Sequence, residues 1–580
     1  MQLVRRFRIP ALFCALAVLF CELVSRPYAE MGVSDDGPYI LMARHLAETG
    51  HIAYNGWATA TLGWQLYLGA AFIKLFGCSF TSVRMSTLLV AVATAFVLQR
   101  TLVRAGIHER NAMLGTLAFV LSPLYLMLSV TYMSDIFGLF AVVICLYGCL
   151  RALQASTDRA TLGWLCFAVA TNAVFGTARQ IAWLGILVMV PSALYVLSRR
   201  GAWRNAKEVL PAGGAVAAGA LFIFACMQWF ARQPYSIPEH LVGPGEDGLY
   251  ALSGFFHASL DAPFLLLPVV VLFLPALAEN LRRSLLVCAV ASVASALILT
   301  ILHLTHSQAR PVLEPTLGDW VTKYGGFGAT VLWGPPPVFL GLGARVVVTI
   351  ASLGGLLGLA ASLVSRRPAL PEAGDPHPLP WRDLGMLLVP LAVAYSLLLI
   401  PRAGSKWGVF DRYLLELLVV ALPCVVRYYQ ERIRWRLPVA SVLVVCVTAI
   451  YGVVVVRNMY SFYRARVALA AEMRASGTPD TSVNNGWEYD LPVEIRHSGH
   501  VNDPRIVLPA HAYVPAPPLS DGSCGMYWRD ETPDIRPLYG VSFDPKACYG
   551  EAPFAPVHYS RWPYRNPGTL YVVRYLPPAR

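Results

Sequence analysis

Apolar runs, broken by short polar and arginine-bearing connections, recur along most of this chain. Met113 to Val130, Leu285 to Leu302, Leu384 to Ile400 and Leu437 to Val456 are examples. Each is long enough to cross a hydrocarbon core of about 30 Å as a helix. Reading such runs along the chain predicts about thirteen spans, beginning near residues 9, 81, 112, 136, 161, 180, 209, 263, 284, 339, 384, 412 and 437. Between the first two spans, Tyr39 to Gly50 reads as a short helix closed by a glycine. The expected architecture is a polytopic α-helical membrane protein.

The flanking cations give these spans a direction. Arg100 and Arg104, Arg151 and Arg159, Arg199 and Arg200, Arg282 and Arg283, Arg366 and Arg367, and the group Arg432, Arg434 and Arg436 fall in alternate connections. Cytoplasmic loops carry such an excess, so these connections are assigned to the cytoplasm. A cytoplasmic N-terminus followed by an odd number of spans places the C-terminus outside. Residues 1–457 then form the membrane domain and residues 458–580 a small external domain of mixed or β-rich character, with Thr569 to Tyr575 as one β-prone run. Two longer external connections, Arg232 to Asp261 and His303 to Val338, are rich in Pro, Gly and aromatic residues. They suit the walls of a substrate site, and equally suit plain connectors on the membrane surface. The first segment, with Arg5, Arg6 and Arg8 ahead of an apolar run, has the outline of a cleaved signal peptide, but Glu22 interrupts the run and many further spans follow, which favours a first span.

Composition agrees with this picture: 56% of the 580 residues are hydrophobic and 14% charged, against about 25% charged in soluble proteins. A net charge of +12 raises the question of a nucleic-acid partner. The cations sit in short clusters between apolar runs, which is a topology signal, so no nucleic acid is expected. Ten of the twelve cysteines lie in or beside apolar segments. Cys524 and Cys548 lie in the polar C-terminal region and can pair in a disulfide if it faces an oxidising compartment.

Candidate chemistry collects at the outer span ends. Asp35 and Asp36 follow the first span directly, where carboxylates suit general base catalysis, metal binding or attraction of a cation. An acidic helix N-cap in a solvated loop is the plainer alternative. Asp135 lies in the second external connection, again with an N-cap as the plainer reading. Arg179, Arg402, Lys406 and Arg412 are the external cations, suited to clamp a phosphate or simply to anchor the chain at the interface.

With these residues in view, the chain resembles a known family. Asp35-Asp36-Gly37-Pro38-Tyr39, then Ala43-Arg44 and Glu48-Thr49-Gly50, is similar to the first external loop of the C-type membrane glycosyltransferases, in particular the protein mannosyltransferase and lipid A aminoarabinose transferase group. Phe72 to Gly77 followed by Arg84, Ser122-Pro123 with Asp135 downstream, and Asp411-Arg412-Tyr413-Leu414-Leu415 add to the likeness, which is best over the first 150 residues. The resemblance implies a sugar donor linked to a polyprenyl phosphate, an external acceptor, and a site in a bacterial inner (plasma) membrane. It implies Asp35 as the base with Asp36 beside it, Asp135 as the acidic residue of the second loop, and Arg44 among the substrate-binding cations. Where the family often shows Lys-Pro-Pro before an aromatic run, this chain has Ala60-Thr61-Leu62-Gly63-Trp64, so the phosphate-binding lysine expected there is missing. The participation of a divalent metal stays open.

Two other functions compete. A transporter or flippase of a lipid-linked or anionic substrate would carry charges near mid-membrane and often repeated halves; here the charges cluster at span ends and no repeat is seen. A structural envelope subunit would leave Asp35 and Asp135 replaceable.

Overall fold

In hydrocarbon every backbone N–H and C=O needs a partner within its own segment, so apolar runs of this length fold as helices. The computed structural model describes residues 9–201, 206–238, 248–279, 281–305, 312–365, 367–370, 379–404, 408–516, 524–526 and 528–576. Among them ten helices are long and apolar enough to cross a membrane, two strongly bent pairs raise the number to as many as twelve, and the shorter apolar helix Ile9–Ser25 is a further candidate. The protein is thus a mostly helical, multi-span membrane protein with a small C-terminal sheet.

In chain order the helices are α1 (Ile9–Ser25), α2 (Asp36–Thr49), α3 (Gly63–Phe76), α4 (Phe80–Arg104), α5 (Glu109–Val120), α6 (Pro123–Ser129), α7 (Ser134–Leu153), α8 (Asp158–Phe175), α9 (Val190–Arg199) and α10 (Ala206–Ala231). They continue with α11 (Gly248–Leu265), α12 (Leu267–Val270), α13 (Ala276–Glu279), α14 (Leu281–Thr305), α15 (Leu342–Val364), α16 (Trp381–Gly404), α17 (Leu415–Arg432), α18 (Ala440–Ala475) and α19 (Trp487–Ser498). The short helix expected after the first span is α2. It ends at Gly50, whose φ of 79° is the left-handed cap that glycine adopts without strain.

Two expected spans differ from a straight rod. The run Met113 to Val130 bends by 69° between α5 and α6. Pro123 cannot continue the hydrogen-bond ladder, and the Ser122 hydroxyl accepts from the Tyr125 N–H at 3.3 Å to start a new helix. The span expected from residue 263 begins earlier, at Gly248, and bends by 74° before Leu267. Much of the connection expected between Arg232 and Asp261 is therefore helix; residues 239–247 lie outside the described residues.

Beyond residue 457 the helix α18 runs on to Ala475. The region after it holds α19 and a four-stranded sheet of order β1-β2-β4-β3, with β1 (Val483–Asn484), β2 (Tyr539–Ser542), β3 (Val557–Tyr559) and β4 (Gly568–Arg574). β1 pairs parallel with β2, and β4 runs antiparallel to both β2 and β3. Cys524 and Cys548 are joined in a disulfide, with Cα atoms 5.5 Å apart. This region packs closely on the first loop: a Cβ at Gly37 would lie 2.8 Å from Pro492 Cγ, and one at Gly32 would lie 2.6 Å from the Glu488 carbonyl oxygen.

Asp36 and Arg84 form an ion pair with both side chains fully buried. Arg84 Nε donates to Asp36 Oδ2 at 2.8 Å and Nη2 to Oδ1 at 3.1 Å. The Val33 and Tyr132 amides donate to the same carboxylate at 2.7 and 3.2 Å. One carboxylate thereby ties the first loop to α4 and to the turn between α6 and α7.

Two outcomes follow for stability. Arg84→Met leaves a charged Asp36 in a dry site and is expected to lower unfolding stability in detergent by about 3–5 kcal/mol, with part of the loss recovered in the Arg84→Met, Asp36→Leu double variant; an unchanged unfolding midpoint in the single variant contradicts the clamp. Replacing Cys524 and Cys548 by Ser opens a loop spanning a sequence separation of 24 and is expected to cost roughly 3 kcal/mol. Peptide mass spectrometry without reduction checks the bond itself: two alkylatable thiols in protein taken from membranes would contradict it.

Candidate active site

Adjacent residues at the start of a helix point in different directions, about 100° apart around its axis, so Asp35 and Asp36 divide. Asp36 is turned inward, and its oxygens are taken up by Arg84 and two amides; its place is that of a support beneath the site. Asp35 faces the other way. Its Oδ1 accepts from Trp57 Nε1 at 3.1 Å, and its Oδ2 lies 3.5 Å from Arg412 Nη1.

Arg412 is the centre of the group. Its Nε stands 3.8 Å from Asp319 Oδ2, so a single guanidinium lies between two carboxylates. Nε and Nη1 make no hydrogen bond to any described residue, although both are shut off from solvent. The guanidinium carbon sits 5.0 Å from the Phe410 ring centre and 5.6 Å from that of Tyr413. Arg402 lies over the same two rings, at 5.3 and 5.9 Å, and Arg179 over Tyr413 at 5.3 Å. Three cations thus gather around one aromatic pair, where the ring faces attract them. Their mutual repulsion is offset by Asp35, Asp319, Glu416 and Asp135. Asp135 is in a close ion pair with Arg179, and Glu416 accepts from the Tyr395 hydroxyl at 3.0 Å.

The elements that carry these groups come from alternate connections of the span sequence: the first loop, the turn before α7, the turn after α8, the segment before α15 and the turn before α17. Arg44 is not brought to them; it is half exposed and pairs with Glu48 one helical turn on. Lys406 lies outside the described residues.

Sequence reading missed Asp319, Glu416, Trp57, Tyr395 and Tyr413 as parts of this group. Glu416 was within reach, since it lies one helical turn beyond Arg412. A lone aspartate such as Asp319, in a connection rich in Pro, Gly and aromatic residues, gives no local signal.

Burial raises two of these carboxyls, Asp319 and Asp35. Asp319 is pushed up to about 6 by loss of water, opposed by the Arg412 charge and reinforced by Asp35. Asp35 is raised as well, by burial first, with Arg412 and the Trp57 hydrogen bond acting against it. No group of three or more His, Cys, Asp or Glu is arranged to hold a metal ion among the described residues. Arg412 stands between Asp35 and Asp319, so the two are not presented as a joint ligand set.

The fold and the site define a class, the multi-span membrane proteins that gather carboxylates and guanidiniums at one end of a helical bundle. Within it, residues 64–229 match the family described as dolichyl-phosphate-mannose-protein mannosyltransferase. The resemblance read from the sequence agrees with this match. Asp135 and Arg179 fall inside the matched residues; Asp35 and Arg412 fall outside them. No curated protein matches the chain. Among solved structures, ArnT from Cupriavidus metallidurans bound to undecaprenyl phosphate is 13% identical over 97% of both chains, with a TM-score of 0.39. The Pmt1-Pmt2 O-mannosyltransferase complex of S. cerevisiae bound to the sugar donor is 13% identical over 38% of this chain, which spans 33% of that one, with a TM-score of 0.32. The Archaeoglobus fulgidus oligosaccharyltransferase in complex with Zn and sulfate is 13% identical over 91% of this chain and 67% of that one, with a TM-score of 0.40.

A base works only when ionised, and a raised carboxyl stays protonated to a higher pH. With Asp35 as the base, transfer is therefore expected to fall on the acid side at a pH above the ordinary aspartate value of about 4, about tenfold per pH unit at the limit. Arg412→Gln removes a charge that favours ionisation and should move this limb further up. An acid limb at or below the ordinary aspartate value in the wild type contradicts a raised base of this kind.

Proposed function

We propose that the protein transfers a sugar from a polyprenyl-phosphate donor to an acceptor on the outer, periplasmic side of a bacterial inner membrane. The single observation that carries this reading is Arg412, a buried guanidinium with unsatisfied donors set between two carboxylates. A phosphate oxygen supplies the acceptors that those donors lack, in the paired geometry a guanidinium favours. The missing lysine near residue 60 is then no obstacle, since cations from Arg412, Arg402 and Arg179 are at hand.

In the reaction, Asp35 takes the proton from the acceptor nucleophile as its oxygen or nitrogen attacks the anomeric carbon. The bond from that carbon to the phosphate oxygen breaks, and the polyprenyl phosphate departs with the electron pair. Its charge grows as the bond breaks, so cations already in place favour the transition state over the ground state. Trp57 holds Asp35 by one oxygen. Asp135 holds Arg179 in reserve beside Tyr413, and Asp36 keeps the loop in place from below. No step is assigned to a metal. The region after residue 457 is proposed to be external, where α19 and its neighbours cover the first loop.

The direct experiment offers the purified protein a panel of polyprenyl-phosphate sugars and looks for release of polyprenyl phosphate with sugar on an acceptor. Asp35→Asn is expected to lower kcat by about 10²–10⁴ while leaving donor binding in place. Arg412→Gln, Arg402→Gln and Lys406→Gln are expected to weaken donor binding, Arg412→Gln most, by roughly tenfold or more. Near-wild-type transfer in Asp35→Asn removes the base, and unchanged donor affinity in all three cation variants removes the clamp.

A further inference from the structure

Asp319 reaches Arg412 from a segment with no regular secondary structure, yet residues 313–321 are held at nearly every step. The Glu314 amide donates to Thr349 Oγ1 at 2.9 Å, and Arg345 on α15 donates to the carbonyls of Leu313 and Glu314 at 2.6 and 2.9 Å. The Thr316 hydroxyl donates to the His257 carbonyl at 3.0 Å. Further on, the Trp320 and Val321 amides both donate to Asp411 Oδ2, at 2.9 and 2.8 Å. Asp319 is the residue left facing Arg412 between these anchors.

One anchor is of a different kind. Asp261 on α11 and Glu314 are both fully buried, and the single Thr316 amide donates to Asp261 Oδ1 at 3.1 Å and to Glu314 Oε2 at 3.2 Å. Asp261 Oδ2 and Glu314 Oε1 receive no hydrogen bond from any donor among the described residues. One amide thus lies within hydrogen-bond distance of both carboxylates at once. Two ionised carboxylates are acceptors only and repel each other, and a proton on one of them relieves a buried pair held this close. The cations and acids around the pair do not replace it. Arg345 is committed to backbone carbonyls, the His257 ring faces Ser253 on its own helix, and Asp411 and Asp319 add negative charge.

We propose that Asp261 and Glu314 share a proton and act as a positioning pair, pinning residues 313–321 to α11 and α15 so that Asp319 is held against Arg412. The inference rests on the glycosyl-transfer reading only for what Asp319 does once it is there. Burial raises the Glu314 carboxyl to about 7, well above its ordinary value. The pinned state therefore keeps a proton that the released segment gives up. Between the ordinary carboxylate range and the pH at which the pair loses its shared proton, pinning weakens as pH rises.

Hydrogen exchange of the 313–321 amides in the full-length protein, corrected for intrinsic rates, reads this without donor or acceptor. In the wild type the opening constant is expected to rise about tenfold per pH unit across pH 6–7, the slope of one proton. Asp261→Asn keeps a donor toward Glu314 without a titrating proton, so it should retain protection with little pH dependence. Asp261→Ala should expose the segment at every pH, and Glu314→Gln provides the mirror test should Asp261→Asn fail to fold. A pH-independent opening constant in the wild type would overturn the shared proton. Wild-type protection in Asp261→Ala would overturn the pin, and protection that EDTA abolishes and Mg²⁺ restores would overturn it in favour of a bound cation. With transfer in hand, Asp261→Asn should keep kcat on the alkaline side and Asp261→Ala should lose it. Absence of any transfer would count against the proposed function and leave the exchange result standing.

Discussion

Asp36 and Arg84 are both closed off from water, and neither charge would be tolerable there without the other. Removing one leaves the remaining ion unpaired at a cost of several kcal/mol. The pair also takes in the amides of Val33 and Tyr132, so three parts of the chain meet on one carboxylate. The first loop is held at its root and α4 is drawn beneath it. The turn leading to Asp135 is fixed from the side. Since Asp35 precedes Asp36 directly and Asp135 follows Tyr132 by three positions, these two candidate site residues inherit their places from this clamp.

Above it the structure gathers charge instead of dispersing it. Three guanidiniums surround Tyr413 and Phe410, and four carboxylates stand among them. Such an assembly is costly to bury unless its charges alternate, and they do, with Arg412 between Asp35 and Asp319 and Arg179 against Asp135. Among the atoms it leaves without a hydrogen bond are two Arg412 donors and, on the acidic side, Asp319 Oδ2 and Glu416 Oε1. The two Arg412 donors suit an anionic ligand, and burial makes each contact with it stronger than it would be in water.

The region after α18 completes the enclosure. Arg466 and Glu488 form a second fully buried ion pair, joined by the Tyr463 hydroxyl, and they lock α19 onto the end of α18. The rings of Trp487 and Trp528 then pack on Trp57, the residue that donates to Asp35. The part of the chain least like a membrane protein therefore bears on the position of the candidate base.

Hydropathy alone determined the helical spans, the short helix closed by Gly50 and the arginine-marked ends, because each is a property of neighbouring residues and of the thickness of a membrane. It also marked Asp35, Asp135, Arg179 and Arg412 as charges at span ends. Tertiary structure decided which of the adjacent Asp35 and Asp36 faces Arg412, since that turns on Arg84, 48 positions from Asp36. It decided that Arg44 stays at the surface with Glu48, and that Asp319 belongs to the group, because Asp411 grips the segment beside it from 90 and 91 positions further on. A side chain in an irregular segment takes its direction from whatever its backbone is tied to, and here those ties run to helices far along the chain, where no local pattern records them.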